Sequence, residues 1–273
     1  MTRSRLRIIT DLFTSASVGQ PVDYRVLLPT DWEATERLPL VLHLHGAMSS
    51  SASLELARPH YDELFQRGDF PRSIVACSST PTAGGFYINR PAADSWETLI
   101  SDEFPEHIAA TYGAVGPTAL IGASMGGYGA LKVAFANPKR YAAVAAISPA
   151  VFPGERPDDV PAVNIPSVLG ELHQAMSNES GDADVYIANS VHGRARAHAQ
   201  EIRDASLPVL VDCGAADEFR LHEGADHLHR VLDELDIAHE FRLVEGAGHL
   251  GPQAETRTKQ AIGFIGAALT VQG

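Results

Sequence analysis

Cysteine is scarce in this chain, with only Cys77 and Cys213 in 273 residues. A small disulfide-stapled scaffold is therefore excluded. Each thiol ends an apolar, strand-like run, where a reduced and buried side chain is the expected state. No apolar run approaches the roughly 20 residues that a membrane helix needs, so no membrane partner is expected. Positive charge is also short: 21 Lys and Arg stand against 34 Asp and Glu, a formal net charge of -13, and no basic block breaks the excess. Such a chain repels nucleic-acid phosphates and anionic membrane surfaces, which excludes both as expected partners. Repeats and low-complexity tracts are missing too. Residues Met1 to Thr10 hold three Arg but only the apolar pair Ile8-Ile9, without a signal-peptide core or small-residue cleavage site. A cytoplasmic location is the expectation.

What is present is a globular composition, 45% hydrophobic and 20% charged. The length is enough for one large α/β domain or two small ones, and the order of elements favours a single domain over 1–273. Leu6 to Phe13 and Val22 to Leu28 read as an antiparallel start. From Leu38 onward, short β-rich runs alternate with helix-like stretches, the pattern of a parallel sheet covered on both faces. The runs are Leu40–Leu44, Ile74–Cys77, Thr118–Ile121, Ala143–Ile147, Val209–Val211 and Glu240–Val244. Helices are predicted over Ala52–Arg67, Ser95–Tyr112, Met125–Ala136, His222–Leu235 and Gln253–Leu269. Asp94 with Glu97 resembles a capping box for the second of these. Residues 152–206 read as irregular, weakly helical near Ser190 to Asp204, and placed as a cap or lid insertion.

The most informative segment is Gly122-Ala123-Ser124-Met125-Gly126-Gly127, which follows a strand and opens a helix. A serine on such a sharp turn is forced into strained angles, and its flanking glycines must lack side chains where backbone comes close. The hydroxyl is pushed out beyond the carboxyl ends of the strands, where a helix amino terminus offers positive potential and free N–H groups. The bland alternative is a tight glycine-rich turn with a capping serine. Serine alone is a weak nucleophile, so a base and a group orienting that base are required.

The order nucleophile, acid, histidine, each on a loop after a later strand, places Asp217 and His249 in the open slots. Asp212 is the competing acid at the strand end, and Glu218 a further one. His43-x-His45 and His227-x-His229 could suggest metal ligands, but the second pair falls on a helix where that spacing separates the faces. No metal and no cofactor is expected. His45-Gly46-Ala47-Met48 occupies the loop after the first parallel strand, which in such an arrangement supplies an oxyanion N–H. The backbone amides of Ala47 and Met125 are the candidate donors, with a plain turn as the alternative for His45-Gly46. Met48, Phe86, Tyr87, Phe152 and, less directly, Trp96 are candidates to line an apolar pocket, against ordinary core packing.

Leu42-His43-Leu44-His45-Gly46, Gly85-Phe86-Tyr87-Ile88-Asn89, the Ser124 segment and Asp212-Cys213-Gly214-Ala215-Ala216-Asp217-Glu218-Phe219 together resemble the esterase D-like family of α/β-hydrolases, from about Val22 to His249. The resemblance implies an α/β-hydrolase fold and a serine carboxylesterase acting on a small-molecule ester. It carries nucleophile, acid and base onto Ser124, Asp217 and His249, and the oxyanion donors onto Ala47 and Met125. The family also includes S-formylglutathione hydrolases, feruloyl and acetylxylan esterases, and exported mycolyltransferases. Ala47-Met48-Ser49 stands where S-formylglutathione hydrolases usually carry a Thr-Cys pair. Acyl transfer or thioester hydrolysis would use the same triad. A binding protein that keeps the fold without the chemistry is the rival from another class, though such proteins commonly lose a triad member.

Overall fold

All eight apolar runs become strands of one sheet in the computed structural model, which describes residues 4–83, 85–90, 94–178 and 180–271. β1 (Leu6–Ser15) and β2 (Gln20–Pro29) form the antiparallel start, with Leu6 opposite Pro29. β3 (Leu38–Leu44), α1 (Ser53–Arg67) and β4 (Ile74–Ser78) follow. A helical stretch of α2 (Trp96–Thr98), a π turn over Leu99–Glu103 and α3 (Phe104–Tyr112) leads to β5 (Ala114–Ala123) and α4 (Met125–Ala136). After β6 (Tyr141–Ile147) come α5 (Val168–Met176), α6 (Ala183–Asn189), α7 (Val191–Ala197) and α8 (Ala199–Ala205). The last elements are β7 (Val209–Gly214), α9 (Leu221–Glu234), β8 (Glu240–Val244) and α10 (Ala254–Val271).

The strand order is β1-β2-β4-β3-β5-β6-β7-β8, antiparallel as far as β4 and parallel beyond it. Alternation along each strand sorts side chains to two cores. Leu40, Leu42, Leu44, Leu120 and Val144 pack with α3, α4 and α9 on one face. Val41, Val75, Ile121, Ala143 and Leu210 pack with α1 and α10 on the other. Parallel strands run the same way, so the loops leaving β3, β5, β6, β7 and β8 all gather at one edge. Among the described residues, no helix is long and apolar enough to cross a membrane.

Three local expectations need correction. The helix predicted over Ser95–Tyr112 widens into the π turn just before Pro105, which has no N–H to give to the preceding turn of this continuous helical stretch. Asp94 and Glu97 form no capping box: the N-cap is Ser95, with no side-chain cap bond. Glu97 instead pairs with Lys132 at 2.8 Å and Arg194 at 3.1 Å, and Lys132 is fully buried.

Residues 152–206, read as mostly irregular, carry α5 to α8 and two 3-10 turns. Each helix has only seven to nine residues, too few for an apolar period to stand out. Caps hold them: Asp182 accepts from the N–H groups of Asp184 and Val185, and Ser190 from that of Gly193. Leu172, Met176, Tyr186, Val191 and Ile202 join the core beside α4, where the Tyr128 hydroxyl donates to Asn189 O at 2.7 Å.

Candidate active site

Ser124 stands between the end of β5 and the start of α4, and its backbone sits at φ 56°, ψ -119°. A non-glycine residue in that region stores roughly 1–3 kcal/mol and persists only where its surroundings fix it. Here the Ser124 N–H donates to Ile147 O at 2.9 Å, and its carbonyl accepts from Tyr128 and Ala150 at 3.0 Å each. The turn needs its flanking glycines for close approach: a Cβ on Gly126 would lie 2.0 Å from Leu44 O, and one on Gly122 2.3 Å from the Gly126 carbonyl carbon. The Met125 amide is the first N–H of α4, one of those with no intrahelical acceptor.

The loop after β3 lies against this turn, since a Cβ on Gly46 would meet Ala123 O at 3.4 Å and Ser124 Cβ at 3.7 Å. Buried His45 braces it. Nδ1–H donates to Gly46 O at 2.8 Å, because a carbonyl only accepts, and Nε2 accepts from the Thr80 N–H at 2.9 Å. Burial lowers the His45 pKa, keeping the ring neutral. Both ring nitrogens are thus engaged, and His43 Nδ1 meets the Tyr61 hydroxyl at 3.1 Å. That pair is bracing rather than a ligand set. The Ala47 N–H has no acceptor among the described residues, while Met48 N–H donates to Thr82 Oγ1 at 2.7 Å.

Asp217 lies on the loop after β7 and His249 on the loop after β8. Asp217 Oδ2 accepts from His249 Nδ1–H at 2.8 Å, and Oδ1 accepts from Phe219 N–H at 2.9 Å. Burial pushes the Asp217 pKa up, but the His249 hydrogen bond and charge, with the Phe219 and Leu221 amides, outweigh it and leave it lowered. A proton on Nδ1 leaves Nε2 of the neutral imidazole as the free lone pair. The Phe219 ring stands edge-on to the imidazole at 4.9 Å, and Glu218 Oε2 accepts from the His249 N–H at 2.7 Å. The Ser124 hydroxyl makes no hydrogen bond among the described residues, so the serine–imidazole contact is the open link; such contacts tighten when substrate binds.

Asp212, the competing acid, pairs instead with buried Arg257, Oδ1 to Nε at 2.5 Å. The same guanidinium donates to Ser148 Oγ at 2.8 Å and to Gly248 O at 3.1 Å, tying the ends of β6 and β7 to the His249 loop. Arg257 was not anticipated. Its signal was its place on the buried stripe Arg257, Ala261, Ile265, Leu269 of α10, where a charge needs a partner.

The five pocket candidates separate. Met48 is 87% exposed beside Ala47. Tyr87 exposes nothing and gives its hydroxyl to His45 O at 3.0 Å, so it supports the loop from below. Phe86 and Trp96 are buried in the core, and buried Phe152 stands edge-on to His173 at 5.5 Å. Two exposed apolar neighbours escaped notice: Phe219, two residues past Asp217, and Leu250, next to His249.

A model of the Esterase family matches residues 15–242, a span that includes Ser124 and Asp217 and stops short of His249. Among solved structures, a ferulic acid esterase superposes with a TM-score of 0.79 at 20% identity, covering 98% of this chain and 100% of that one. An S-formylglutathione hydrolase from Agrobacterium tumefaciens gives 0.75 at 18% identity, covering 100% and 98%. Fluorophosphonate-binding serine hydrolase F of Staphylococcus aureus gives 0.69 at 16% identity, covering 95% and 98%. At these identities the likeness shows a shared fold, that of the α/β-hydrolases.

Proposed function

The chain belongs to the Esterase family, and on that premise we propose that it cleaves neutral carboxylic esters through an acyl-enzyme on Ser124. His249 Nε2 takes the hydroxyl proton as Ser124 Oγ attacks the ester carbonyl. Asp217 holds the imidazole in the required tautomer and stabilises it once charged. The oxyanion forms where the Ala47 and Met125 amides point free N–H groups, in the field of the α4 amino terminus. The imidazolium then protonates the leaving alcohol. Water, activated by the same base, releases the acid and restores Ser124.

The observation that carries this reading is the 2.8 Å Asp217–His249 hydrogen bond, at the sheet edge where Ser124 stands in its strained turn. Exposed Met48, Phe219 and Leu250, each beside one of the proposed machinery's residues, favour an apolar acyl or alcohol group. The net charge of -13 disfavours anionic substrates, and Arg220 is committed to Glu223. A thioester would meet the same triad; nothing in the apolar rim selects an anionic one. Residues 152–206 are read as a cap, since the chain enters them just past Ala150, whose N–H donates to Ser124 O at 3.0 Å. The two unpaired, buried thiols suit a reducing cytoplasm.

A fluorophosphonate probe with intact-mass detection tests the assignment. Wild type should gain a single label and Ser124→Ala none; a label that persists in the variant overturns it.

A further inference from the structure

Away from the Ser124 edge, three metal-ligating side chains converge where α9 hands over to β8. His229 and Asp233 lie one turn apart on α9, and His239 precedes β8, placing the cluster at the edge of the sheet opposite Ser124. Their ligand atoms all lie within 4.8 Å of one another. His239 Nδ1 faces Ile237 O at 2.8 Å, and since a carbonyl only accepts, the proton is on Nδ1 and Nε2 is a bare lone pair. That is the orienting contact metal-bound histidines typically make through their second nitrogen. Nε2 lies 2.7 Å from His229 Nδ1 and 4.0 Å from Asp233 Oδ1. His229 Nε2 lies 3.5 Å from Asp233 Oδ2, and Phe241 stacks on the His229 ring at 4.5 Å.

His229 presents one ring nitrogen to His239 and the other to Asp233, so a cation held among the three would meet nitrogen and carboxylate donors together. His239 also lines a surface cavity of about 530 Å³ whose wall carries Asp236, Glu240 and Arg203; Arg203 caps the α9 carbonyl of Leu235, and Glu240 pairs with Arg242. His227, on another face of α9, belongs elsewhere and meets His192. It is the i+4 carboxylate and the histidine from the next loop that complete the set.

We propose that His229, Asp233 and His239 bind a divalent transition metal of the zinc class, two imidazoles and a carboxylate with water completing the shell. Metal–nitrogen bonds of about 2.0–2.1 Å require the two imidazole nitrogens to separate to roughly 3.3 Å, an opening that the part-exposed His229 ring can supply. The ion would fasten the last turn of α9 to the start of β8, the connection between the Asp217 and His249 loops. It is a structural clasp, separate from the ester chemistry.

Titration of Zn²⁺ into the intact protein, followed by calorimetry and by thermal midpoint, tests it. Wild type should take up a single equivalent and melt higher with Zn²⁺. His239→Ala and Asp233→Asn should each bind at least about 10-fold more weakly, with ester hydrolysis unchanged. His227→Gln should bind as wild type does. Asp233 is exposed, so its variant keeps the test decisive even where His239→Ala folds poorly. No uptake by wild type, or equal uptake by wild type and Asp233→Asn, overturns the proposal.

Discussion

Asp212 lies in β7 and Asp217 on the loop that leaves it, five residues apart, and both are almost fully buried. Asp217 has both oxygens answered, Oδ2 by the His249 imidazole and Oδ1 by a backbone amide, and its pKa falls below the usual carboxylate range. Asp212 has Oδ1 bound to Arg257 and Oδ2 without a partner among the described residues, and burial raises its pKa although the Arg257 charge opposes the shift. One carboxylate is arranged to hold a side chain whose charge changes during the proposed reaction. The other anchors a fixed cation that gathers three strand ends. Buried acidity alone is therefore a poor guide to which carboxylate serves a base; the partner decides.

The comparison breaks most visibly at Asp217. Asp217→Asn removes the acceptor that fixes the His249 tautomer, and kcat should fall by about 10⁴-fold, the scale known for this change in the serine protease template. The fold should persist, because an Asn Oδ1 can still accept from Phe219 N–H. Steady-state rates on a neutral ester check it; a loss smaller than tenfold would return the orienting role to Asp212 or Glu218.

Asp212→Asn should invert that pattern. It exchanges the carboxylate's bond to buried Arg257 for a neutral one, and because burial already opposes that carboxylate's charge the loss should be about 1–3 kcal/mol, with a thermal midpoint lower by a few degrees. At a temperature where the variant is folded, its kcat should stay within about tenfold of wild type. Calorimetry beside the rate assay separates the two carboxylates. An unchanged midpoint with a lost rate would show that Asp212 touches the chemistry.

How much of this was legible beforehand follows the range of the interactions. The eight strands and the places of Ser124, Asp217 and His249 at strand ends are written in local grammar: buried β-runs, a Gly-x-Ser-x-Gly turn into a helix, and loops following strands. The partners of Arg257 were not, because Asp212, Ser148 and Gly248 come from three separate parts of the chain. Glu97 was misread for the same reason, its nearest sequence neighbours suggesting a cap while Lys132 and Arg194 awaited it across the fold. Phe86 and Tyr87, weighed between pocket wall and core packing, are both buried and both take positive φ, 50° and 54°.

The smallest effect separates the two carboxylates by the sign of their proton linkage. Asp217 has a folded pKa below its unfolded value of about 3.9, so the unfolded chain binds more protons there as acid is added. Its contribution to stability is complete above that value and is lost as pH falls through the folded pKa. Asp212 is raised, so its contribution is present below about pH 3.9 and is lost as pH rises through its folded pKa. Denaturant unfolding across the acid range should therefore show a shallower acid loss in Asp217→Asn below about pH 3.9. In Asp212→Asn the curve should rise more steeply with pH above that point, each slope changing by at most about 1.4 kcal/mol per pH unit for a single proton. Slopes that shift in the same window for both variants would mean that the two carboxylates titrate as one group, and the contrast between them would fail.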